Sequence, residues 1–201
     1  MQATELSERI EVIKRTLERS SGYGYTTGWG ALFFGAISLI PSIHFYRTGL
    51  LLTEPSQWLI FCTSWLITFL VALFGLGFGI WLTARRHQMP FLSETVKAIG
   101  FVLSPSLLVA MVLTALFYQI DQFSLAPGAW FICYGCGFLS ASIFLNVGMK
   151  LFGLIYLLYG TAYLLYFHSD PHLMMMIGFG ALHLLLGTVL LVTGGRTKEE
   201  A

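Results

Sequence analysis

Residues 55–84 decide the fold class, and they read PSQWLIFCTSWLITFLVALFGLGFGIWLTA without one charged side chain. A helix needs about 20 apolar residues to cross the ~30 Å hydrocarbon core of a bilayer, so this stretch is long enough. Its central run, Leu66–Phe74, is continuously apolar and lacks the alternation of a β-barrel strand. Because lipid offers the backbone no hydrogen-bond partners, the stretch is predicted to be a transmembrane α-helix.

Five further stretches are equally free of charge. The chain of 201 residues is 56% hydrophobic and 10% charged, whereas roughly a quarter of an average soluble domain is charged. This composition, with a net charge of +1, excludes a disordered chain, a disulfide-stapled secreted domain and a nucleic-acid-binding protein. We therefore predict an all-α polytopic membrane protein, a bundle of six transmembrane helices over residues 27–193. The predicted helices are 27–44, 57–83, 96–118, 127–146, 150–167 and 172–193.

The lysines and arginines predict the orientation of these helices. All of them except Arg47 lie in residues 1–26, in the loops after helices 2 and 4, or in the tail 194–201. Because Lys and Arg are retained in cytoplasmic segments, both termini are predicted to be cytoplasmic. Trp58 and Trp130 are expected at the outer membrane boundary, where amphipathic rings favour the interface. Residues 1–26 lack the pattern of a secretory signal, so the predicted location is a plasma membrane.

Residues 4–20 are predicted to form a cytoplasmic amphipathic helix. Leu6, Ile10, Ile13 and Leu17 follow one another at spacings of 4, 3 and 4, which places them on one helical face. Such a helix can lie on the bilayer surface. It can equally dock on a partner membrane protein or on a second copy of the chain, because this spacing is also a short coiled-coil seam. The spacing leaves both alternatives open.

Small residues at helical spacing indicate where helices approach closely. The strongest candidates are Gly28, Gly35, Gly75 and Gly79. The first two share their spacing with Gly128 and Gly135, and an aromatic residue precedes the second glycine of each pair. Since helices 1 and 4 run in opposite directions, this match is interpreted as a relic of a three-plus-three inverted repeat.

His183 is the most informative polar side chain in the predicted spans. Its distance from His172 places it near the midplane, where ionisable groups are expensive and indicate function. Pro105 is predicted to kink helix 3, and the flanking Ser104 and Ser106 can satisfy the carbonyl groups that it frees. The candidate ligand-binding residues are therefore His183, Ser104, Ser106 and Tyr134. A structural hydrogen bond, ligand or proton chemistry, and cofactor ligation remain as alternatives for His183.

Few other residues of the chain indicate redox, transport or catalytic chemistry. Cys133 and Cys136 have redox spacing, but no cation lies near them in sequence to favour a thiolate, so they and Cys62 are interpreted as small apolar residues. Apart from Lys97 and Lys150 at their ends, the predicted spans hold no Asp, Glu, Lys or Arg, which argues against a carboxylate proton relay or a charged channel ring. No catalytic motif is present. We therefore expect no catalytic residue, no metal and no cofactor.

Several short motifs resemble a family of small, uncharacterised bacterial integral membrane proteins with six helices. The likeness lies in Glu18-Arg-Ser, in Gly28-Trp-Gly, in Pro127-Gly-Ala-Trp130 with Tyr134-Gly135, and in Ile177-Gly-Phe-Gly-Ala-Leu-His183. It spans nearly the whole chain, although the marked basic cluster after helix 6 is missing. The resemblance implies a bacterial inner-membrane protein and assigns no activity.

Two functions are compatible with these patterns. The first is a non-enzymatic sensor, regulatory or accessory subunit, which acts through helix packing and the N-terminal helix. The second is a carrier or binder of a small neutral or lipophilic molecule, in an intramembrane pocket near His183 and the Pro105 kink. The expected partners are the lipid bilayer and either a second copy of the chain or another membrane protein.

Overall fold

The computed structural model describes residues 27–49, 54–86, 94–142, 147–166 and 170–196. Every regular element in these ranges is helical, and six helices are long and apolar enough to cross a membrane, as predicted. The segment 4–20, with Leu6, Ile10, Ile13 and Leu17, lies outside the described residues. The helices are α1 (Thr27–Thr48), α2 (Pro55–Arg86), α3 (Glu94–Gln119), α4 (Ala126–Ala141), α5 (Val147–Tyr166) and α6, which runs through Pro171–Met175, Met176–Ala181 and Leu182–Arg196.

Helices α4 and α5 form an antiparallel pair in which the backbones touch. A Cβ atom added at Gly135 would lie 2.6 Å from the backbone nitrogen of Leu157 and 2.7 Å from the carbonyl oxygen of Gly153. One Cβ added at Gly160 would lie 2.7 Å from the carbonyl oxygen of Gly128. Two glycines on each helix, seven residues apart, therefore face each other, and no larger residue fits between them.

Helices α1 and α6 repeat this arrangement. Gly35 lies against α6. A Cβ atom added at Gly35 would lie 2.8 Å from the backbone nitrogen of Leu184 and 3.0 Å from the carbonyl oxygen of Gly180. At Gly187 an added Cβ would come 2.7 Å from the carbonyl oxygen of Gly28. The bundle thus has two glycine-faced pairs, α1·α6 and α4·α5. We call these four helices the inner helices.

The two glycine motifs of shared spacing serve these two pairs. The glycines of α1 pack on α6, whereas those of α4 pack on α5. In a three-plus-three repeat α4 would correspond to α1, α5 to α2 and α6 to α3. The inverted repeat stays a prediction.

Helices α2 and α3 lie outside the inner helices. Gly75 of α2 accommodates the ring of Phe33, and Leu76 packs against Gly30, so both contacts join α2 to α1. Gly79 is half-buried. Helix α3 packs on α4, where Gly137 lies against Leu103 and Ser106.

Local capping explains where several helices begin and end. The Asp170 carboxylate accepts hydrogen bonds from the backbone nitrogens of His172 (2.9 Å) and Leu173 (3.0 Å), and Pro171 follows at the first helical position. Helix α4 runs to Ala141, and residues 143–146 of its predicted span lie outside the described residues. The backbone N–H of Ser142 caps it by donating to the Phe138 carbonyl, and the Ser142 hydroxyl donates to the Leu139 carbonyl at 2.6 Å.

Trp58 and Trp130, which are predicted to lie at the outer membrane boundary, both make contacts between helices. Trp58 is only 4% exposed, because its ring stacks on Phe61 and on Phe123 of a 3₁₀ turn, Phe123–Leu125. The half-buried Trp130 donates from Nε1 to the Thr114 hydroxyl at 2.8 Å. Both rings therefore connect helices.

Candidate functional site

His183 lies at the centre of the inner helices and is 2% exposed. It follows the segment Met176–Ala181, in which α6 widens into a π-helix. Within that segment an added Cβ at Gly178 would overlap the ring of Phe131, so the widened turn brings α6 and α4 together at a glycine. π-Helical turns often occur at functional positions in longer helices, so the residues around His183 are the first candidates for a functional site.

Two tyrosine hydroxyls occupy the two ring nitrogens of His183. The Tyr134 hydroxyl lies 2.8 Å from Nε2, and the Tyr156 hydroxyl lies 2.6 Å from Nδ1. The Tyr156 hydroxyl also donates to the carbonyl oxygen of Gly178 at 3.0 Å. We call these three side chains the Tyr–His cluster. They join α4, α5 and α6.

One assignment of protons satisfies every polar atom in the Tyr–His cluster. Tyr156 has a single hydroxyl proton, and it goes to the Gly178 carbonyl, so the Tyr156 oxygen must accept from His183. His183 then carries its proton on Nδ1, and Nε2 accepts from the Tyr134 hydroxyl. The opposite tautomer would leave the Tyr134 proton without an acceptor on the ring. Neutral His183 thus needs no partner from outside the chain.

Aromatic rings enclose the Tyr–His cluster. Phe34 of α1 meets the His183 ring edge to face, with centroids 4.6 Å apart, and Phe179 lies 5.8 Å from it. Tyr134 and Tyr156 meet each other edge to face at 5.2 Å. These rings favour T-shaped contacts and leave an apolar shell around the hydrogen bonds. In such a shell the hydrogen bonds are strengthened by the low local dielectric.

The structure brings together only some of the candidate ligand-binding residues. His183 and Tyr134 are in contact, whereas Ser104 is exposed on α3 and its hydroxyl donates to the Phe101 carbonyl at 3.1 Å. Ser106 is half-buried against Gly137 of α4. Helix α3 continues through Pro105. Since the carbonyl four residues before a proline loses its helical donor, the Ser104 hydroxyl supplies the donor that Pro105 removes.

Sequence reasoning missed Tyr156, which makes the shortest hydrogen bond of the cluster. A signal was present, because Tyr156, Tyr159, Tyr163 and Tyr166 follow one another at helical spacing on one face of α5. Tyr159 donates to the Met174 carbonyl at 3.2 Å, and Tyr163 donates to the Ser124 carbonyl at 2.8 Å. This tyrosine stripe ties α5 to its neighbours from the centre of the bundle towards the end that holds Asp170.

Among the described residues, no group of three or more His, Cys, Asp or Glu side chains could hold a metal ion. The cysteines are free thiols, with Cys133 buried, Cys62 half-buried and Cys136 exposed. The Tyr–His cluster itself is neutral, internally satisfied and enclosed. Its hydrogen bonds join α4, α5 and α6, which is the arrangement of a structural contact between helices.

Comparison with models of known families, with curated proteins and with solved structures finds no match.

Proposed function

We propose that this chain is a multi-pass protein of the bacterial inner membrane that acts as a non-enzymatic sensor, regulatory or accessory subunit. The supporting observation is that both ring nitrogens of His183 are engaged by tyrosines of the same chain. His183 is 2% exposed and both tyrosines belong to the same enclosed cluster, so neither ring nitrogen is presented to a substrate. Here a buried histidine joins α4, α5 and α6, which suits a scaffold that presents surfaces to partners.

The charge distribution supports an orientation for this scaffold. Arg85, Arg86 and Lys150 lie at one end of the bundle, whereas Glu54 and Asp121 lie at the other. Because cationic segments stay on the cytoplasmic side, the end that holds Arg85 faces the cytoplasm, together with both termini. The amphipathic segment 4–20 then stands on that side.

The carrier alternative has weaker support. It places a small lipophilic molecule at His183 near the Pro105 kink, but the ring nitrogens are taken and Ser104 bonds within its own helix. A ligand there would have to displace two hydrogen bonds that are already well formed, at a cost in free energy for each. The geometry therefore favours the accessory role.

Site-specific photocrosslinking in intact membranes tests the proposal. A photoreactive residue in place of Ile10 lies on the apolar face formed by Leu6, Ile10, Ile13 and Leu17, and one in place of Arg15 lies on the opposite face and serves as the control. We expect a discrete protein adduct from position 10 and none from position 15. Adducts with lipid alone from position 10, or equal adducts from both positions, would contradict partner docking by this segment.

A further inference from the structure

A groove of about 600 Å³ separates α2 from α3 near the end of the bundle that holds Asp121. Its floor is apolar and is formed by Leu59, Cys62, Met111 and Ala115. The volume falls within the roughly 300–1,000 Å³ that is usual for small-molecule sites. It is separate from the Tyr–His cluster, which lies among the inner helices.

Aromatic rings connect α2 and α3 beside this groove. Phe123, in the 3₁₀ turn between α3 and α4, is buried between the two helix ends and stacks on Trp58 of α2 at 5.3 Å. On its other side the ring lies 5.9 Å from Tyr118 of α3. Trp58 also stacks on Phe61 of its own helix. Trp58 and Tyr118 themselves line the groove, so the rings that contact Phe123 belong to its walls.

The groove faces outward from the bundle, and its surroundings are apolar. Leu59 is 67% exposed, and the neighbouring Val112 is 61% exposed. From Pro55 to Cys62 the groove extends about 10 Å along α2, which is most of one leaflet of the ~30 Å hydrocarbon core. A lipid acyl chain from the bilayer matches this groove in length and in polarity.

The mouth of the groove is polar and acidic. Ser56 and Gln119 line it and offer uncharged hydrogen-bonding groups. Glu54 directly precedes α2, and Asp121 lies just beyond α3 in a left-handed backbone conformation with φ of 54°. Among the described residues, this end of the bundle carries Glu54, Asp121 and Asp170 against the single cation Arg47. Such a mouth attracts a cationic group and repels an anionic headgroup.

We propose that this groove binds one phospholipid from the surrounding leaflet, with an acyl chain on the apolar floor and an ammonium-bearing headgroup of the ethanolamine type at Glu54 and Asp121. Apolar complementarity holds the chain, and the two carboxylates select the headgroup. The proposal rests on the membrane location of the proposed function and is independent of the accessory role.

Native mass spectrometry of the protein released from bilayers with equal amounts of ethanolamine and glycerol phospholipids tests chain binding. The wild-type protein should retain one ethanolamine phospholipid. Ala115→Trp fills the floor of the groove and should abolish retention, whereas Val112→Trp, an exposed position on the same helix outside the groove, should retain the lipid as the wild type does. Equal retention by the two variants would overturn the proposed site.

Headgroup selection is tested with Glu54→Gln and Asp121→Asn, which keep size and, at position 121, a side chain that tolerates positive φ. Each substitution should reduce the preference for the ethanolamine over the glycerol phospholipid by about fivefold while total retention persists. A wild-type protein without headgroup preference, or variants with an unchanged preference, would refute the role of the carboxylates. Crosslinking from Ile10 is measured separately, so failure of the accessory role and failure of lipid binding are distinguishable.

Discussion

Helices α3 and α4 are neighbours in the chain and in space, yet they are used in opposite ways. In α3 only 6% of the most apolar window is buried inside the protein, whereas in α4 the fraction is 56%. Over its most apolar window, α3 nevertheless has the higher mean hydropathy of the two. Helix α2, whose most apolar window has the highest mean hydropathy of the six, is also mostly exposed. A high mean hydropathy in this protein therefore does not mark the helices of the core.

This difference in burial follows from the lipid bilayer that we propose as the surroundings of the helices. Lipid chains are as apolar as leucine, so helices gain little by hiding large apolar side chains from them. Helices associate instead where backbones can approach closely and where polar groups find partners. The inner helices meet both conditions through facing glycines and through the Tyr–His cluster, whereas α2 and α3 present large apolar side chains outward.

The largest effect is expected at the glycine-faced contact of α4 with α5. In Gly135→Ala the new Cβ meets backbone atoms of α5, which cannot move aside as a side chain can, so the free energy of unfolding should fall by about 1–3 kcal/mol. Gly77→Ala on α2 is the matched control, because an added Cβ there has no atom within 4 Å. The control should be neutral or more stable by up to about 1 kcal/mol, since alanine favours a helix over glycine. Thermal unfolding in detergent measures both, and changes of the same sign would contradict the comparison.

A smaller loss is expected when the Tyr–His cluster is broken. Tyr156→Phe removes the donor to the Gly178 carbonyl and the acceptor for His183 Nδ1–H, and leaves these two groups only their longer contact of 3.4 Å with each other, so stability should fall by about 1–2 kcal/mol. Tyr46→Phe, at a tyrosine that is 51% exposed on α1, should change the melting temperature little. Nitrogen NMR of His183 gives a second readout, with the proton on Nδ1 in the wild type. A proton on Nε2 would refute the assigned network.

The smallest effect is expected on the outer helix α3. Ser104→Ala removes the donor to the Phe101 carbonyl and should lower stability by about 0.6 kcal/mol. In the background of Pro105→Ala, which restores the backbone N–H, the same change should cost nothing, because the carbonyl regains its helical donor. A double-mutant cycle measures the coupling. Equal losses in both backgrounds would show that Ser104 does not serve the proline.

Much of the fold was predictable because its signals are local. The charge-free stretch 55–84 and its five counterparts predicted six helices, and Pro105 with Ser104 predicted a side-chain donor for a freed carbonyl, which is confirmed. The contact of Trp58 with Phe123 could not be predicted, since the two residues lie sixty-five positions apart in the chain.

The candidate site was predictable only in part. His183 stood out as an ionisable residue in an apolar span, and Tyr134 was named with it. Tyr156 was overlooked, although its stripe on α5 was visible, because tyrosine spacing does not reveal which tyrosine meets a histidine on another helix. Ser104 was named with His183 because both side chains are polar. In the structure the Ser104 hydroxyl donates instead to the Phe101 carbonyl of its own helix.

Sequence alone determined how many helices this chain forms and roughly where each one ends, because a long run without charge or breakers can satisfy its backbone in lipid only as a helix. Tertiary structure alone decided that Gly35 meets α6 while Gly135 meets α5, and that two tyrosines leave His183 with no free nitrogen. Those outcomes depend on the fit of surfaces far apart in the chain, and a few tenths of an ångström between backbones decide which glycine faces which helix.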